Sequence, residues 1–288
     1  MPIPLTSEIQ ARVCGLLNRA TAAVQVIEHL SGGYTNDNFL VEVQQERYVV
    51  RLGSTVARVL GVDRHREQQV LAVAAQAGLI PDLVGFDADR GDLLSRFVLA
   101  ESAADRSTAP VDVLALAALL HRAHSLDVKT TAADPRDWVA RYVAAGARAG
   151  FAWPAAVSRA LRHLGDLAYV ACALTHHDVN PWNILHAPTA DLLLDWEYAG
   201  WGDPAFDLAG VVTLWQLPAH DRDRLLDCYG ADPAMRQRMA DATWLFRMRE
   251  LTWAGLMLAN GHGRAEIAAQ FTGQCAWLDE WLRIRGGA

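Results

Sequence analysis

The sequence predicts an α+β fold in which a small, strand-rich N-terminal part precedes a larger, mostly helical part. Strand-like alternation is confined to the first hundred residues, where two hairpins are predicted, over 39–52 and over 83–98. Helical patterns dominate from residue 111 onward. We therefore expect an N-terminal lobe of residues 1–100 and a C-terminal lobe of residues 101–288, divided at the polar stretch that starts at residue 101.

Capping and breaking residues indicate where individual helices begin and end. One helix is predicted over 6–18, with Thr6 as its cap, and another runs from a cap at Asp63 to Ala77, where Gly78 ends it. The helices of the C-terminal part are expected over 111–125, 135–149, 154–170 and 204–217, with two or three more after residue 222.

Composition indicates a soluble globular protein. Of the 288 residues, 52% are hydrophobic and 20% are charged, which is ordinary for a folded chain. The longest apolar stretch, 113–120, is much shorter than the roughly 20 residues of a membrane span. A net charge of −7 and the lack of any basic run speak against nucleic-acid binding.

The N-terminal segment has neither the basic start nor the apolar run of a secretory signal, and the four cysteines form no Cys-x-x-Cys pair. We therefore expect a cytoplasmic protein with reduced thiols. His121 and His124 share one face of a predicted helix, but no carboxylate stands at ligand spacing from them. Packing or capping is expected of these histidines rather than metal binding.

One segment combines acidic and amide side chains in a pattern that suits phosphate chemistry. Asp178 stands five residues before Asn183 on a loop that Pro181 keeps irregular, and a short apolar strand then ends in Asp195. Phosphoryl transfer needs a carboxylate that orients a hydroxyl and oxygen ligands for Mg²⁺. Taken alone, an Asp-x-x-x-x-Asn spacing more often caps a turn, so the prediction depends on the joint pattern.

Three motifs follow one another in this part of the chain: His176-x-Asp178-x-x-x-x-Asn183, Asp195-Trp-Glu197 and Gly202-Asp203-Pro204-Ala-Phe-Asp207. Their order and spacing resemble the aminoglycoside phosphotransferase, choline kinase and thiamine kinase superfamily, whose members are relatives of the protein kinases. The motifs fill about a tenth of the chain, and the likeness extends over nearly all of it. The resemblance implies a bilobal protein-kinase-like fold and a small-molecule kinase that uses ATP and Mg²⁺.

The same resemblance implies roles for individual residues. Asp178 would be the catalytic base, and Asn183 and Asp195 would hold magnesium. Asp207 would brace the catalytic loop through its backbone, and His176 would order that loop rather than transfer a proton.

A glycine-containing turn, Ser31-Gly32-Gly33-Tyr34-Thr35-Asn36, interrupts two strand-like runs. Glycines there would let backbone amides approach a phosphate. The turn resembles the Gly-Gly-x-Thr-Asn turn of choline-kinase-like proteins, which assigns Gly32, Gly33, Thr35 and Asn36 to the nucleotide. An ordinary hairpin is the alternative, because neither Gly-x-Gly-x-x-Gly nor a P-loop is present.

Arg51 stands on a predicted strand where the kinase-like fold carries a phosphate-binding lysine. Arginine keeps the charge but binds phosphate through a planar fork. Glu67, at the start of the helix after Asp63, matches the glutamate that pairs with that lysine in the family. The alternatives are a surface cation on an edge strand for Arg51 and a solvated helix-start acid for Glu67.

The acceptor is expected to be a small cationic metabolite. No lysine or arginine lies between Arg162 and Arg222, whereas several acidic residues do, so we expect an electronegative site. These acids include Asp178, Asp191, Asp195, Glu197, Asp203 and Asp207. Aromatic faces attract cations, and Trp182 and Trp201 lie among these acids. Glu197 could meet the acceptor cation or only support the loop. Most such tryptophans fill the core, so these assignments are candidates only.

Choline, ethanolamine or thiamine are the expected acceptors, and an aminoglycoside or sugar kinase is the alternative within the enzyme class. Two further classes remain open: a nucleotide-binding regulator of weak activity, because Arg51 replaces lysine, and a protein kinase. The protein kinase is disfavoured because Asp195-Trp-Glu replaces Asp-Phe-Gly. The sequence names neither the acceptor nor the oligomeric state.

Overall fold

A five-stranded antiparallel sheet dominates the first part of the fold. The computed structural model describes residues 6–19, 22–30, 36–102, 104 and 111–286. The strands of this sheet are β1 (Val24–Leu30), β2 (Asp37–Val43), β3 (Glu46–Leu52), β4 (Leu83–Asp87) and β5 (Asp92–Arg96). They lie in the order β1-β2-β3-β5-β4, so both predicted hairpins are present and β3 is the central strand.

Three helices accompany this sheet: α1 (Thr6–Leu16), α2 (Val56–Leu60) and α3 (Arg64–Gln76). Ile9 and Val13 of α1 pack against the apolar face of the sheet, where Phe39 and Val50 are buried. Helix α3 begins where the sequence predicts, because the Asp63 side chain accepts hydrogen bonds from the first backbone amides of the helix.

The second part of the fold is mostly helical. Its elements are β6 (Glu101–Ser102), α4 (Val113–His124), α5 (Pro135–Arg148), α6 (Ala155–Ala160), β7 (Ala173–Thr175), β8 (Ile184–His186), β9 (Asp191–Leu193), β10 (Gly200–Gly202), α7 (Pro204–Leu214), α8 (Ala219–Tyr229), α9 (Pro233–Ala259) and α10 (Ala265–Gly286). Helices α4, α7 and α9 share one large apolar core that includes Leu120, Phe206 and Leu245.

The chain from β7 to α7 supplies most of the strands of two small sheets. Strand β10 pairs with β7, and β8 lies between β6 and β9. Because β6 already pairs with β8, the chain has left the first sheet by residue 101, and we propose residue 100 as the lobe boundary.

The helix predicted over 154–170 is wrong in its second half. Helix α6 ends at Ala160, a 3₁₀ helix covers Leu161–Asp166, and Leu167 is extended. Gly165 and Asp166 are poor helix formers, and a tighter turn is a common way for a helix to end. In the described part of the chain, no helix combines the length and apolar character that crossing a membrane requires.

Candidate active site

The loop after β7 is anchored to helix α7 through Asp207. The two carboxylate oxygens of Asp207 accept hydrogen bonds from the backbone N–H groups of His176, at 2.7 Å, and His177, at 2.8 Å. His124 Nε2 lies 3.0 Å from the same carboxylate. Burial by itself would raise the pKa of Asp207. The hydrogen bond from His124 and the electrostatic interaction with the same histidine outweigh burial, so the pKa of Asp207 lies below its ordinary value. His124 therefore supports the anchor of the loop.

Asp178 is held on this loop by side chains on both sides of its carboxylate. Its Oδ2 accepts hydrogen bonds from Asn183 Nδ2, at 3.1 Å, and Asn180 Nδ2, at 3.3 Å. Its Oδ1 accepts two hydrogen bonds of 3.0 Å from Arg249. The Asp178 side chain is 21% exposed, so a small molecule can reach it.

His176 connects the loop to the strand that precedes Asp195. The Asp178 backbone N–H donates to His176 Nδ1 at 3.2 Å, which leaves Nε2–H to donate to the Leu194 carbonyl at 2.9 Å. Burial lowers the pKa of His176, so the ring is neutral. Since Leu194 N also donates to the Asn183 carbonyl at 2.7 Å, the structure brings Asp178, Asn183 and Asp195 together.

Arg51 and Glu67 meet beneath this group of residues. Arg51 Nη1 lies 2.6 Å from Glu67 Oε1 and 3.2 Å from Asp195 Oδ1. Arg51 is 6% exposed on the central strand and Glu67 is fully buried, so the edge-strand and solvated-acid alternatives do not apply. Asp195 itself has φ 61°, and burial followed by the charge of Glu197 raises its pKa well above the ordinary value.

Arg64, which the sequence analysis did not single out, joins helix α3 to the Asp195-Trp-Glu197 segment. Its Nη1 lies 2.6 Å from Glu67 Oε2 and 3.0 Å from Glu197 Oε2. Asn36 Nδ2 donates to the same Glu197 oxygen at 3.0 Å. The carboxylate of Glu197 is thus taken up by Arg64 and Asn36, which favours the loop-support alternative over contact with the acceptor.

Arg249 is the second arginine that sequence reasoning missed. It lies on α9, 71 residues after Asp178, and no local motif marks it. Asn180 was also missed, although the Asn180-Pro181 pair is a recognisable turn signal. Its side chain accepts hydrogen bonds from the Trp182 and Asn183 amides and shapes the 3₁₀ turn Pro181–Asn183.

Other predicted residues are not brought to Asp178 by any described contact. Gly32, Gly33 and Thr35 lie outside the described residues. Trp182 is 63% exposed and Trp201 is 37% exposed, and neither indole makes a ring contact or side-chain hydrogen bond with a residue in the described ranges.

The negative charge expected from the acidic residues of this stretch is compensated by cationic side chains from other parts of the sequence. Four of these acids meet arginines that lie outside residues 162–222, namely Asp178, Asp195, Glu197 and Asp203. Asp207 lies against His124, and Asp191 lies against His186. The expectation overstated the negative charge because it considered only neighbours in sequence.

Comparison with known proteins assigns the chain to a family. The family model described as the phosphotransferase enzyme family matches residues 26–242, which include Asp178, Asp207 and all but the first two residues of the five-stranded sheet. The chain belongs to the phosphotransferase enzyme family. The predicted family, the α+β bilobal kinase-like fold and the phosphotransferase enzyme class are therefore confirmed.

Known structures share the fold of this phosphotransferase-family chain at low sequence identity. The choline kinase LicA from Streptococcus pneumoniae has a TM-score of 0.76 and 19% identity, covering 95% of this chain and 98% of its own. A spectinomycin phosphotransferase in complex with ADP and spectinomycin has a TM-score of 0.64 and 13% identity, covering 95% of each chain. The protein LicA of Haemophilus influenzae is 37% identical over 54 residues, 19% of this chain, so the match spans only 20% of that relative.

The side chains of this phosphotransferase-family member suit a metal that is held mainly by nucleotide phosphates. No group of three His, Cys, Asp or Glu residues in the described ranges forms a metal site of its own. Magnesium is commonly bound by one or two carboxylates together with substrate phosphates. Asp195 would supply a carboxylate. The amide nitrogen of Asn183 donates to Asp178, and its Oδ1, which accepts no hydrogen bond from any described residue, would supply a second oxygen.

Proposed function

We propose that this chain transfers the γ-phosphoryl group of ATP to a hydroxyl of a small molecule. The observation that carries the proposal is the direct contact of Asp178 with Asn183, beside Asp195 and the Arg51–Glu67 pair. A hydroxyl-orienting carboxylate, metal-binding oxygens and a phosphate-binding cation are the groups that such a transfer requires.

The nucleotide would lie against Arg51, whose guanidinium is held in place by Glu67 and the Gly91 carbonyl. A planar guanidinium suits two phosphate oxygens at once. Mg²⁺, when bound by Asn183 and Asp195, would neutralise phosphate charge during transfer. The spectinomycin phosphotransferase that shares the fold was solved with ADP, which supports an adenine nucleotide as donor.

Asp178 would orient the acceptor hydroxyl and accept its proton as the hydroxyl oxygen bonds to the γ-phosphorus of ATP. The bond between that phosphorus and the oxygen bridging to the β-phosphate breaks, and ADP leaves. The Oδ2 of Asp178 is positioned by Asn180 and Asn183, and its Oδ1 by Arg249, so the carboxylate is fixed before any substrate binds. Such preorganisation of a general base typically contributes about 10²- to 10⁴-fold in rate.

The acceptor is proposed to be a small metabolite or antibiotic with a free hydroxyl. Choline and ethanolamine belong in the first assay because a choline kinase shares the fold, and thiamine because of the sequence motifs. Aminoglycosides and sugars belong there because a spectinomycin phosphotransferase shares it too.

The test is acceptor-dependent release of ADP from ATP across such a panel, with phosphorylated product confirmed by mass spectrometry. Asp178→Asn should lower kcat by about 10²-fold or more while ATP binding is retained. Asp191→Asn is the matched control, because Asp191 pairs with His186 on a neighbouring hairpin and should leave kcat unchanged. Equal turnover by wild type and Asp178→Asn would refute the base assignment.

A further inference from the structure

The guanidinium group of Arg249 lies against Asp178, the residue proposed to orient the acceptor hydroxyl. Arg249 on α9 is 4% exposed, and its Cζ lies 4.8 Å from the centre of the Tyr198 ring. Its Nη1 lies 3.0 Å from Asp178 Oδ1 and 2.5 Å from Glu250 Oε1. A small ammonium ion binds to an aromatic face and to nearby carboxylates. Here the Tyr198 ring and the carboxylates of Asp178 and Glu250 are already in contact with the guanidinium group of Arg249.

Residues of helices α9 and α10 hold the guanidinium group of Arg249 in place. Glu250 receives a hydrogen bond of 2.9 Å from Gln270 on α10 through the oxygen that does not contact Arg249. Tyr142 and Tyr198, both buried, surround the same region. Burial by itself would lower the pKa of Arg249, but Asp178 and Glu250 raise it well above its ordinary value, so the group stays charged. A substrate cation would therefore have to displace a buried, paired arginine.

Arg249 also has donors to spare. Within the described ranges, Nη2 donates one hydrogen bond, to Asp178, and Nε donates none. A guanidinium has five N–H groups and accepts nothing, so the remaining donors can be satisfied only by an acceptor atom such as oxygen. An ammonium group cannot provide one.

We propose that Arg249 determines acceptor specificity: the acceptor carries an oxygen, uncharged or anionic, next to its reacting hydroxyl, and that oxygen binds Nη2 of Arg249. Polyols, sugars and hydroxy acids share this chemistry, whereas choline and ethanolamine do not. The inference rests on the proposed function of the site. It disfavours as acceptors the cationic metabolites that the sequence favoured.

The experiment compares choline with 3,3-dimethylbutan-1-ol, in which carbon replaces the quaternary nitrogen, and with glycerol, erythritol and D-glycerate as oxygen-bearing probes. ADP release gives kcat/KM for each probe, and calorimetric titration gives its binding. For the wild type we expect kcat/KM at least tenfold lower for choline than for the best oxygen-bearing probe. Choline should also bind more weakly than its uncharged isostere.

Variants at position 249 separate charge from structure. Arg249→Met should bind choline at least tenfold more tightly than the wild type and should lose kcat/KM for oxygen-bearing probes. Arg249→Lys keeps the charge and should still exclude choline. Arg247→Met is the matched control, because Arg247 lies on the same helix but bonds Gln274 of α10, and its probe preference should equal that of the wild type.

Two results would overturn the inference: wild-type kcat/KM for choline equal to or above that of every oxygen-bearing probe, or choline binding unchanged in Arg249→Met. If circular dichroism shows that Arg249→Met does not fold, the wild-type comparison of choline with its isostere, together with Arg249→Lys, decides the question. If neither these probes nor any member of the wider acceptor panel is phosphorylated, the proposed function fails. The effect of Arg249 on probe preference is then decided by the binding measurements.

Discussion

The carboxylate of Asp207 accepts a 2.8 Å hydrogen bond from the backbone N–H of His177, and this bond holds a histidine at φ 64°. A left-handed backbone costs a non-glycine residue roughly 1 to 2 kcal/mol. The neighbouring amide of His176 donates to the second carboxylate oxygen at 2.7 Å. The shape of the loop that carries Asp178 therefore depends on a side chain of helix α7.

Replacing Asp207 by asparagine should weaken both stability and turnover. The variant loses one charge-assisted hydrogen bond to a buried amide, so the free energy of unfolding should fall by about 1.5 to 3 kcal/mol. A loop displaced by about 1 Å should lower kcat by up to about 10²-fold, with the KM for ATP little changed. Urea unfolding and steady-state kinetics measure the two effects.

Asp232→Asn provides the control for Asp207. Asp232 caps α9 through the Met235 amide and is exposed, so its substitution should cost about 1 kcal/mol or less and leave kcat unchanged. A normal kcat in Asp207→Asn at reduced stability would show that Asp207 does not position the loop.

Asp195→Asn should weaken the binding of magnesium-ATP more than that of metal-free ATP. Asparagine tolerates the left-handed backbone at this position, so the loop should keep its shape while it loses the carboxylate proposed as a metal ligand. We expect at least the roughly 10- to 100-fold loss of metal affinity that follows removal of an outer-shell partner. Calorimetry with and without Mg²⁺ measures the difference, and an equal loss in both conditions would contradict a metal-binding role.

Breaking the Arg51–Glu67 pair should destabilise the protein strongly. Glu67 is fully buried between Arg51 and Arg64, and removing one member of a buried ion pair typically costs about 3 to 5 kcal/mol. Glu67→Gln should also raise the KM for ATP because Arg51 is no longer held. In a double-mutant cycle with Arg51→Met we expect a coupling of about 0.5 to 3 kcal/mol.

The exposed pair of Glu46 and Arg96 is the matched control for this cycle. Its side chains are 49% and 48% exposed, so Glu46→Gln should change stability by about 1 kcal/mol or less. A similar small effect of Glu67→Gln would contradict the structural importance of the buried pair.

His177 should make stability depend on pH. Burial lowers the pKa of His177 to about 3 from an ordinary 6.5. Below pH 6.5 the unfolded chain binds a proton that the folded chain does not bind until about pH 3. The contribution of neutral His177 to the free energy of unfolding is therefore fully present above pH 6.5. About 1.4 kcal/mol of this free energy is lost for each pH unit below that value.

Urea unfolding at pH 7, 6 and 5 measures this slope in the wild type and in His177→Asn. Asparagine accepts the positive φ and has no titrating group, so its slope between pH 6 and 5 should be smaller by about one proton. Identical slopes would rule out His177 as the source.

Much of the fold could be predicted because its signals are local. The alternation of β2 and β3, the cap at Asp63 and the start of α5 at Pro135 concern residues a few positions apart, and these elements form where expected. The end of α6 at Ala160 was not predicted, because helix propensity is too weak to show where a 3₁₀ turn takes over.

The ionic contacts of the site were less predictable because they join distant segments. The contact of Arg51 with Glu67 was expected from family resemblance. The contacts of Arg64 with Glu197 and of Arg249 with Asp178 were not, since they span 133 and 71 positions. No spacing rule relates an arginine to a carboxylate that lies on another element.

The sequence by itself determined the family, the order of the motif residues and the approximate bounds of elements such as α3, α4 and α5, because these depend on short-range spacing, capping and periodicity. Tertiary structure alone decided which charges compensate each other. Helix α9 brings Arg249 to Asp178 only after it packs against α5 and α7, and that packing replaces an apparently acidic site with one whose carboxylates are paired. Burial makes such pairing necessary, because an unpaired charge removed from water is costly.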